Sequence, residues 1–302
     1  MSGLEIIEFI SNGAPLLLST VEKISVALLS VIFLRKNTAD KEFEKLKAGK
    51  LQETVDELLD NGKMTYTEYY KAKNYLSIVK KADELYTKKE CIKTESYNYD
   101  FDWFVRFYET VGNVSDNDVQ NVWARILAGE IECPGTYSLR TLEKLKNLSR
   151  KEAEVFTKIA SLSFRSSNIR FIFKYDELLE EYNISLENIL EMEDCGLMCS
   201  QTLFIEEKLG KDEKSNFLAN NIAVCVINKL ELEEKYCIPI FKFTSSGMQL
   251  LNAIKIDYNE DFIIKIIKKF KKDNENRFLI TAHRITQIHG DCFTNDEKDL
   301  LV

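Results

Sequence analysis

The chain has 302 residues, of which 45% are hydrophobic, so it is long enough to bury one large core or two moderate ones. Its 49 acidic side chains outnumber the 41 basic ones, and the net charge of −8 repels phosphate backbones. Nucleic acid is therefore an unfavoured partner unless basic residues gather on one face. With three prolines and eleven glycines, long flexible linkers and low-complexity segments are excluded.

The seven cysteines are odd in number and scattered, which is typical of a protein in a reducing compartment, and a cytoplasmic location is predicted. Cys195 and Cys199 are one helical turn apart, but no His or Cys pair follows that would complete a zinc tetrahedron. The sequence contains no Gly-rich phosphate loop and no recognised catalytic motif. We therefore predict no metal and no cofactor, and leave enzymatic activity open while favouring its absence.

Residues 14–34, APLLLSTVEKISVALLSVIFL, have the length of a membrane span and are followed by Arg35 and Lys36. Glu22 and Lys23 near the middle oppose insertion, and the acidic first residues do not fit a signal peptide. A helix packed within the protein or against a second copy is preferred; an interfacial membrane helix, peripheral to the inner membrane, and a true span are the alternatives. The residues predicted to contact a partner or a membrane are Leu17, Leu18, Val21, Ile24, Leu28 and Ile32.

Residues 40–95 are predicted to form a helical hairpin. The turn falls at Asn61-Gly62, and Thr65 and Glu68 have the spacing of a capping box that opens the second helix. An amphipathic pair with its apolar stripe in the core is the simpler interpretation, and oligomerisation is the alternative. The polar segment 88–98 is the predicted linker.

The central block is read as a run of short helices. One helix ends at Gly112-Asn113, and a second begins near Asp116 with Ser115 as its predicted N-cap. Its predicted buried stripe consists of Val119, Val122, Trp123, Ile126 and Leu127, and Gly129 is predicted to close it.

After that helix, Pro134-Gly135 predicts a turn and Ser138 is expected to cap a third helix. A second capping box, Ser149 with Glu152, predicts the start of a fourth helix.

Three charged residues beside these turns, Arg125, Glu130 and Arg140, are the candidates for proton-transfer chemistry. The favoured interpretation is structural: Glu130 and Arg140 tie the turn to its flanking helices through charge-assisted hydrogen bonds. Trp103 and Trp123 are expected to lie in the core rather than to form a ligand platform.

The stretch from Asp102 to Phe156 contains an aromatic helix, Val-Ser-Asp, a Trp-containing helix ending in Leu-Ala-Gly-Glu, a Pro-Gly turn and Ser-x-Arg-Thr. With these elements the chain resembles the bacterial family named domain of unknown function 2806, closely over about residues 102–160. The resemblance implies a prokaryotic cytosolic or membrane-associated protein and no activity. A looser similarity of layout links the chain to abortive-infection proteins and implies, as an expectation only, a role in phage defence.

The C-terminal half is predicted to contain a mostly antiparallel sheet with one solvated face. Residues 169–174, 202–206, 222–230 and 238–243 are rich in β-branched and aromatic side chains. The segment FKFTSSGMQLLNAI resembles the end of a winged-helix domain. The lysine-rich stretch 263–272 is then the candidate for nucleic-acid binding, against the simpler reading of a solvated amphipathic helix.

The last segment, RFLITAHRITQIHGDCF, predicts a strand pair that carries both histidines of the chain. His283, His289 and Cys292 could contribute to a metal site or a Cys/His nucleophile, but ordinary strand residues are the favoured interpretation.

Taken together, the sequence predicts an α+β protein with helical N-terminal and central regions and a C-terminal sheet domain. The predicted segments are 1–36, 40–95, 96–165 and 166–302. We predict a non-enzymatic interaction or scaffold protein of phage defence that self-associates, or binds another protein, through its N-terminal helices. A membrane-acting effector and a nucleic-acid-binding regulator are the alternatives.

Overall fold

The computed structural model of the protein describes residues 53, 55–57, 59–62, 64–86, 101–289, 292–296 and 298–301. They belong to two compact units, Met1–Lys146 and Asn147–Val302. The apolar segment 14–34, with its six predicted contact residues, and the predicted linker 88–98 lie outside the described residues. The segment boundaries predicted from the sequence at residues 36, 95 and 165 remain predictions.

The first unit is helical. Among its described residues, the helices with defined bounds are α1 (Tyr66–Tyr86), α2 (Phe101–Val111), α3 (Asn117–Glu132) and α4 (Leu139–Asn147), the last of which reaches one residue past the unit boundary. The predicted capping box opens α1: the backbone N–H of Thr65 donates to Glu68 Oε2 at 2.9 Å, and the Glu68 N–H donates to Thr65 Oγ1 at 3.2 Å. Local signals were therefore sufficient to place this helix start.

A polar seam joins α1 to α3. The buried Gln120 side chain accepts hydrogen bonds from Ser77 Oγ at 2.9 Å and Lys81 Nζ at 3.0 Å, and its amide donates to the Val114 carbonyl at 2.9 Å. Asn74 Nδ2 donates to the Gly112 carbonyl at 2.9 Å. Because buried polar groups are costly unless they are paired, this seam fixes the register of the two helices.

Three local predictions for α3 are wrong. Its N-cap is Asp116, whose side chain accepts from the N–H groups of Asp118 and Val119, whereas the predicted cap, Ser115, is exposed. The helix does not close at Gly129 but continues to Glu132. Val119 was assigned to the buried stripe, yet it is 41% exposed, because the first turn of α3 faces solvent.

The second unit combines five helices with one antiparallel sheet among its described residues. The helices are α5 (Arg150–Ala160), α6 (Asp176–Glu181), α7 (Leu186–Asp194), α8 (Ser245–Ala253) and α9 (Glu260–Asn274). The strands are β1 (Phe164–Ser166), β2 (Ile169–Phe173), β3 (Met198–Leu209), β4 (Lys214–Ala219), β5 (Ile222–Asn228), β6 (Glu234–Phe243), β7 (Phe278–His289) and β8 (Cys292–Asn295). The α+β class is thus confirmed.

The strand order is β3-β6-β2-β1-β4-β5-β7-β8, and each neighbouring pair is antiparallel. β3 and β8 are therefore the edge strands. The predicted hairpin at the end of the chain is confirmed, since His289 of β7 is in register with Cys292 of β8.

Aromatic side chains build the core under this sheet. Phe173 of β2 lies 4.9 Å from Phe164, 5.7 Å from Phe217 and 5.9 Å from Phe270, measured between ring centroids. Phe270 belongs to α9, whose apolar stripe is buried. Each fully buried side chain of this size contributes on the order of 1.5–3 kcal/mol, so the cluster fastens α9 to the sheet.

The junction between β6 and α8 depends on a close backbone approach. Thr244 caps α8 by accepting from the Gly247 N–H at 3.1 Å, and its hydroxyl donates to the Gly196 carbonyl at 2.7 Å. A Cβ atom at Gly247 would lie 2.1 Å from the Leu197 carbonyl oxygen. The segment that resembles the end of a winged-helix domain therefore forms the close packing contact between α8 and the α7–β3 turn.

Candidate functional site

The family motif surrounds the turn between α3 and α4. Glu130 is 3% exposed, and its two carboxylate oxygens accept hydrogen bonds from the backbone N–H groups of Gly135, at 2.6 Å, and Tyr137, at 2.9 Å. Gly135 has a φ of +87°, a conformation that favours glycine, after Pro134 in the turn. The carboxylate therefore satisfies two backbone donors of the turn.

Tyr137 is the centre of this arrangement, and the sequence analysis did not single it out. Its carbonyl accepts a hydrogen bond from Trp103 Nε1 at 2.6 Å, and a Cβ atom at Gly129 would lie 2.9 Å from its ring. Burial, followed by the nearby Glu130 carboxylate, raises the pKa of Tyr137 to about 12, while Arg125 acts in the opposite direction. The Tyr137 side chain stays neutral at physiological pH, and its ring packs against α3 at Gly129. The sequence signal that could have identified Tyr137 is its position between the Pro-Gly turn and the capping residue Ser138.

The other motif residues have structural environments as well. Trp103 stacks on Phe107 with ring centroids 5.2 Å apart, and Trp123 meets the same ring edge-on at 5.6 Å. Both tryptophans are buried, so the prediction that they belong to the core is confirmed. Ser138 caps α4, since its hydroxyl accepts from the Thr141 N–H at 3.3 Å.

Arg125, Glu130 and Arg140 differ in their exposure to solvent. Glu130 is buried, Arg125 is half-buried and Arg140 is exposed. The Glu130 carboxylate ties the turn to α3 through two backbone N–H groups. This is the role that the structural interpretation predicted for Glu130. The side chain of Arg140 is exposed, and the tying role predicted for it stays a prediction.

The lysine-rich helix α9 neutralises much of its own charge. Lys265 Nζ lies 2.6 Å from Glu181 and 3.4 Å from Asp261, and Lys269 Nζ lies 2.9 Å from Asp273. Carboxylates paired with these lysines weaken their attraction to a phosphate backbone. The geometry therefore offers little support for a basic recognition surface on this helix.

The backbone positions of the two histidines are far apart along β7. His283 and His289 both lie on β7, six residues apart, and a strand rises about 3.3 Å per residue, which separates them by roughly 20 Å. His283 Nδ1 lies 3.1 Å from the Lys298 carbonyl oxygen. Within the part of the chain that the structure describes, no group of His, Cys, Asp and Glu side chains could hold a metal ion.

Cys195 is a poor nucleophile. Burial, followed by the Glu152 carboxylate that its thiol contacts, raises the pKa of the Cys195 thiol to about 11. The thiolate, which is the reactive form, is therefore scarce at neutral pH.

Among the described helices, none has both the length and the apolar character required to cross a bilayer.

Comparison with known proteins identifies the family. The sequence profile of a family described as a protein of unknown function, DUF2806, matches residues 63–267, about two thirds of the chain. The chain belongs to this family. The match starts three residues before α1 and ends within α9, so it extends well beyond residues 102–160, which carry the motif. No curated protein and no solved structure matches the chain.

Proposed function

We propose that the protein acts by binding other protein chains, including copies of itself, and that it makes and breaks no covalent bonds. The observation that carries this proposal is the exposure of large apolar side chains at separate places in both units. Tyr66 and Tyr70 on α1 are 81% and 59% exposed, Leu186 and Leu190 on α7 are 60% and 43% exposed, and Phe204 on β3 is 58% exposed. Exposed apolar side chains that share one face can form a contact surface for another protein chain.

The spacing of these residues strengthens the proposal. Tyr66 and Tyr70 are four residues apart, as are Leu186 and Leu190, so each pair occupies one face of its helix. A side chain that is apolar, exposed and repeated on one helix face loses water-accessible area when a partner covers that face. Association would therefore be favourable at both faces.

The environment of the family motif supports the same proposal. Glu130, the carboxylate best placed in the sequence for acid–base chemistry, has both oxygens bonded to backbone N–H groups in a buried turn. A general base has to reach a substrate proton, and this carboxylate faces the turn instead. The motif thus accounts for stability without requiring a substrate.

We propose further that self-association involves the N-terminal segment, residues 1–36, and that the protein serves in bacterial defence against phage. The first point rests on the apolar run in residues 14–34, and the second on the similarity of layout to abortive-infection proteins.

The test is size-exclusion chromatography with light scattering, on the full chain and on a chain that lacks residues 1–36. We expect the full chain to be larger than its 35.0 kDa monomer and the shortened chain to be smaller than the full-length assembly. A full chain that is monomeric, yet floats with anionic phospholipid vesicles only when residues 1–36 are present, would favour the membrane-acting alternative instead.

A further inference from the structure

The strand β3 has an open edge. It is the first strand in the sheet order and pairs on one side with β6; no strand of the described residues pairs with its other side. β3 is twelve residues long, whereas β8 at the opposite edge has four. A long edge strand with exposed apolar side chains is a template for pairing with another strand.

The register with β6 assigns the two faces of this edge. Residues 203, 205 and 207 stand opposite Ile240, Ile238 and Tyr236, which are buried, so this face is turned to the core. Phe204 and Glu206 stand opposite Pro239 and Cys237 on the other face. Phe204 is therefore an apolar side chain on the outer face of an edge strand, and 58% of it is exposed.

Charges flank Phe204 in a definite order. On its N-terminal side, the Thr202 hydroxyl accepts from Lys174 Nζ at 2.7 Å, and that ammonium group lies 5.3 Å from the centroid of the Phe241 ring. Two residues earlier, Ser200 donates through its backbone N–H to Glu193 Oε1 at 3.1 Å. On the C-terminal side, Glu206 pairs with Lys235 of the same chain at 2.6 Å and Lys208 pairs with Glu233 at 3.3 Å, and both pairs are solvent-exposed. The charges of Glu206 and Lys208 are opposite in sign to those of Lys174 and Glu193, which hold Thr202 and Ser200.

We propose that β3 pairs in antiparallel orientation with β3 of a second copy, about a two-fold axis at Phe204, to form one continuous sheet. In this register residue 206 of one copy faces residue 202 of the other, and residue 208 faces residue 200. Glu206 then lies beside the Lys174 that binds Thr202, and Lys208 lies beside the Glu193 that binds Ser200. The two Phe204 side chains meet on the same face, with Cβ atoms about 4.5–5.5 Å apart.

Neighbouring registers are less favourable. Centring the pair on Glu206 or on Glu207 places identical carboxylates opposite each other. Centring it on Leu203 moves Glu206 towards Ser200 and its Glu193 carboxylate, and centring it on Ile205 moves Lys208 towards Thr202 and Lys174. Like charges placed directly opposite destabilise a strand pair, whereas opposite charges stabilise it.

The strand is irregular in the segment that residues 206 and 208 of the second copy face, so the regular ladder of the proposed pair is short. The register with β6 shifts between Cys199 and Leu203, and residues 200–202 have no register partner on β6. A bulge bends its strand and shortens the regular ladder. Few main-chain hydrogen bonds are then available to the pair, so we expect association through this edge to be weak and to be sensitive to its charged side chains.

This inference deepens the proposed function, since it names a second copy as partner and a strand edge as the surface. It is independent of residues 1–36.

The test uses full-length chains with the charge reversals Glu206→Lys and Lys174→Glu, each purified alone and then mixed. Each variant alone has two like-charged contacts per dimer and is expected to self-associate about tenfold more weakly, or worse, in sedimentation velocity. The mixture restores both contacts in the heterodimer, so association should recover. Asp296→Lys, the same kind of charge reversal on an exposed side chain that follows β8 at the opposite edge of the sheet, is the control and should leave association unchanged.

Amide hydrogen exchange supplies a local readout on the unmodified chain, which does not depend on how well the variants fold. Peptides covering residues 203–208 should exchange more slowly as the protein concentration rises, and this protection should be lost in each variant and return on mixing. If both folded variants fail to recover on mixing, the β3 pairing is overturned. If the wild-type chain assembles while exchange in 203–208 stays constant, the pairing is overturned but the proposed function stands. A wild-type chain that is monomeric at all concentrations overturns both the pairing and the proposed self-association.

Discussion

Glu130 is the residue on which the structural reading of the family motif depends. Its carboxylate binds the N–H groups of Gly135 and Tyr137 in a buried turn, so it replaces water for two donors that have no helical partner. A residue with this role affects stability when it is changed.

We therefore expect Glu130→Ala to lower the free energy of unfolding by about 3 kcal/mol, because two buried N–H groups lose a charged acceptor. Urea denaturation followed by circular dichroism measures this change. The control is Arg140→Ala, an exposed neighbour, which should change stability by less than about 0.5 kcal/mol. Equal effects of the two substitutions would show that the carboxylate does not hold the turn.

Single residues also show what the sequence could and could not specify. The cap at Ser149 and the turn at Gly135 follow from local chemistry and were predicted correctly. The role of Gly129 was predicted wrongly, because a helix-ending glycine and a glycine that admits a neighbouring ring look identical in sequence. Only the fold brings Tyr137 to within contact of Gly129.

At the level of elements, the junction of β6 with α8 leaves no space for a side chain at Gly247. A methyl group at Gly247 would meet the Leu197 carbonyl oxygen at 2.1 Å, and that oxygen is a backbone atom that also accepts from the Thr244 N–H.

We expect Gly247→Ala to destabilise the protein by at least about 3 kcal/mol, because the backbone of the α7–β3 turn has to move. Thermal unfolding monitored by circular dichroism measures the loss. The matched control in the same helix is Asn252→Ala, which is exposed and should be neutral or slightly stabilising through better helix propensity. A Gly247→Ala protein as stable as the control would contradict the close approach.

The capping box of α5 makes its contribution depend on pH. Glu152 accepts hydrogen bonds from Ser149, through its hydroxyl and its backbone N–H, and these bonds hold the pKa of the Glu152 carboxyl below its ordinary value. A carboxyl whose pKa is lowered by folding stabilises the folded state fully above its unfolded-state pKa of about 4.3. The stabilisation disappears as the pH falls through the lower folded-state value.

We expect Glu152→Gln to be less stable than the wild type at neutral pH and to approach it as the pH falls through that range. Urea midpoints measured between pH 7 and pH 2 test this convergence. The reference is Glu154→Gln, since Glu154 is an exposed residue that is paired with Arg150 on the helix surface. If the difference in stability between wild type and variant stays constant over this pH range, the lowered pKa of Glu152 is not its source.

Elements with strong local patterns were easier to predict than the sheet that contains them. The strands β2 and β5 and the β7–β8 hairpin were expected from their β-branched and aromatic residues. β1 has three residues and β4 contains Lys214, Ser215 and Asn216, so neither gave a recognisable signal. The order of the strands in the sheet depends on pairing between distant segments, and it cannot be predicted from local sequence.

At the scale of the whole molecule, the net charge of −8 and the ion-paired lysines of α9 argue for partners other than nucleic acid. The exposed faces of α1 and α7 and the open edge of β3 argue for protein partners. The first of these arguments follows in part from the composition alone. The second required the fold, because exposure of an apolar residue is not visible in a sequence.

The central claim is that this protein works as an assembly of protein chains. Sedimentation equilibrium of the unmodified full chain over a hundredfold range of concentration tests it most directly. We predict that the weight-average mass rises with concentration above the 35.0 kDa of one chain. A mass that stays at one chain throughout that range would contradict the account.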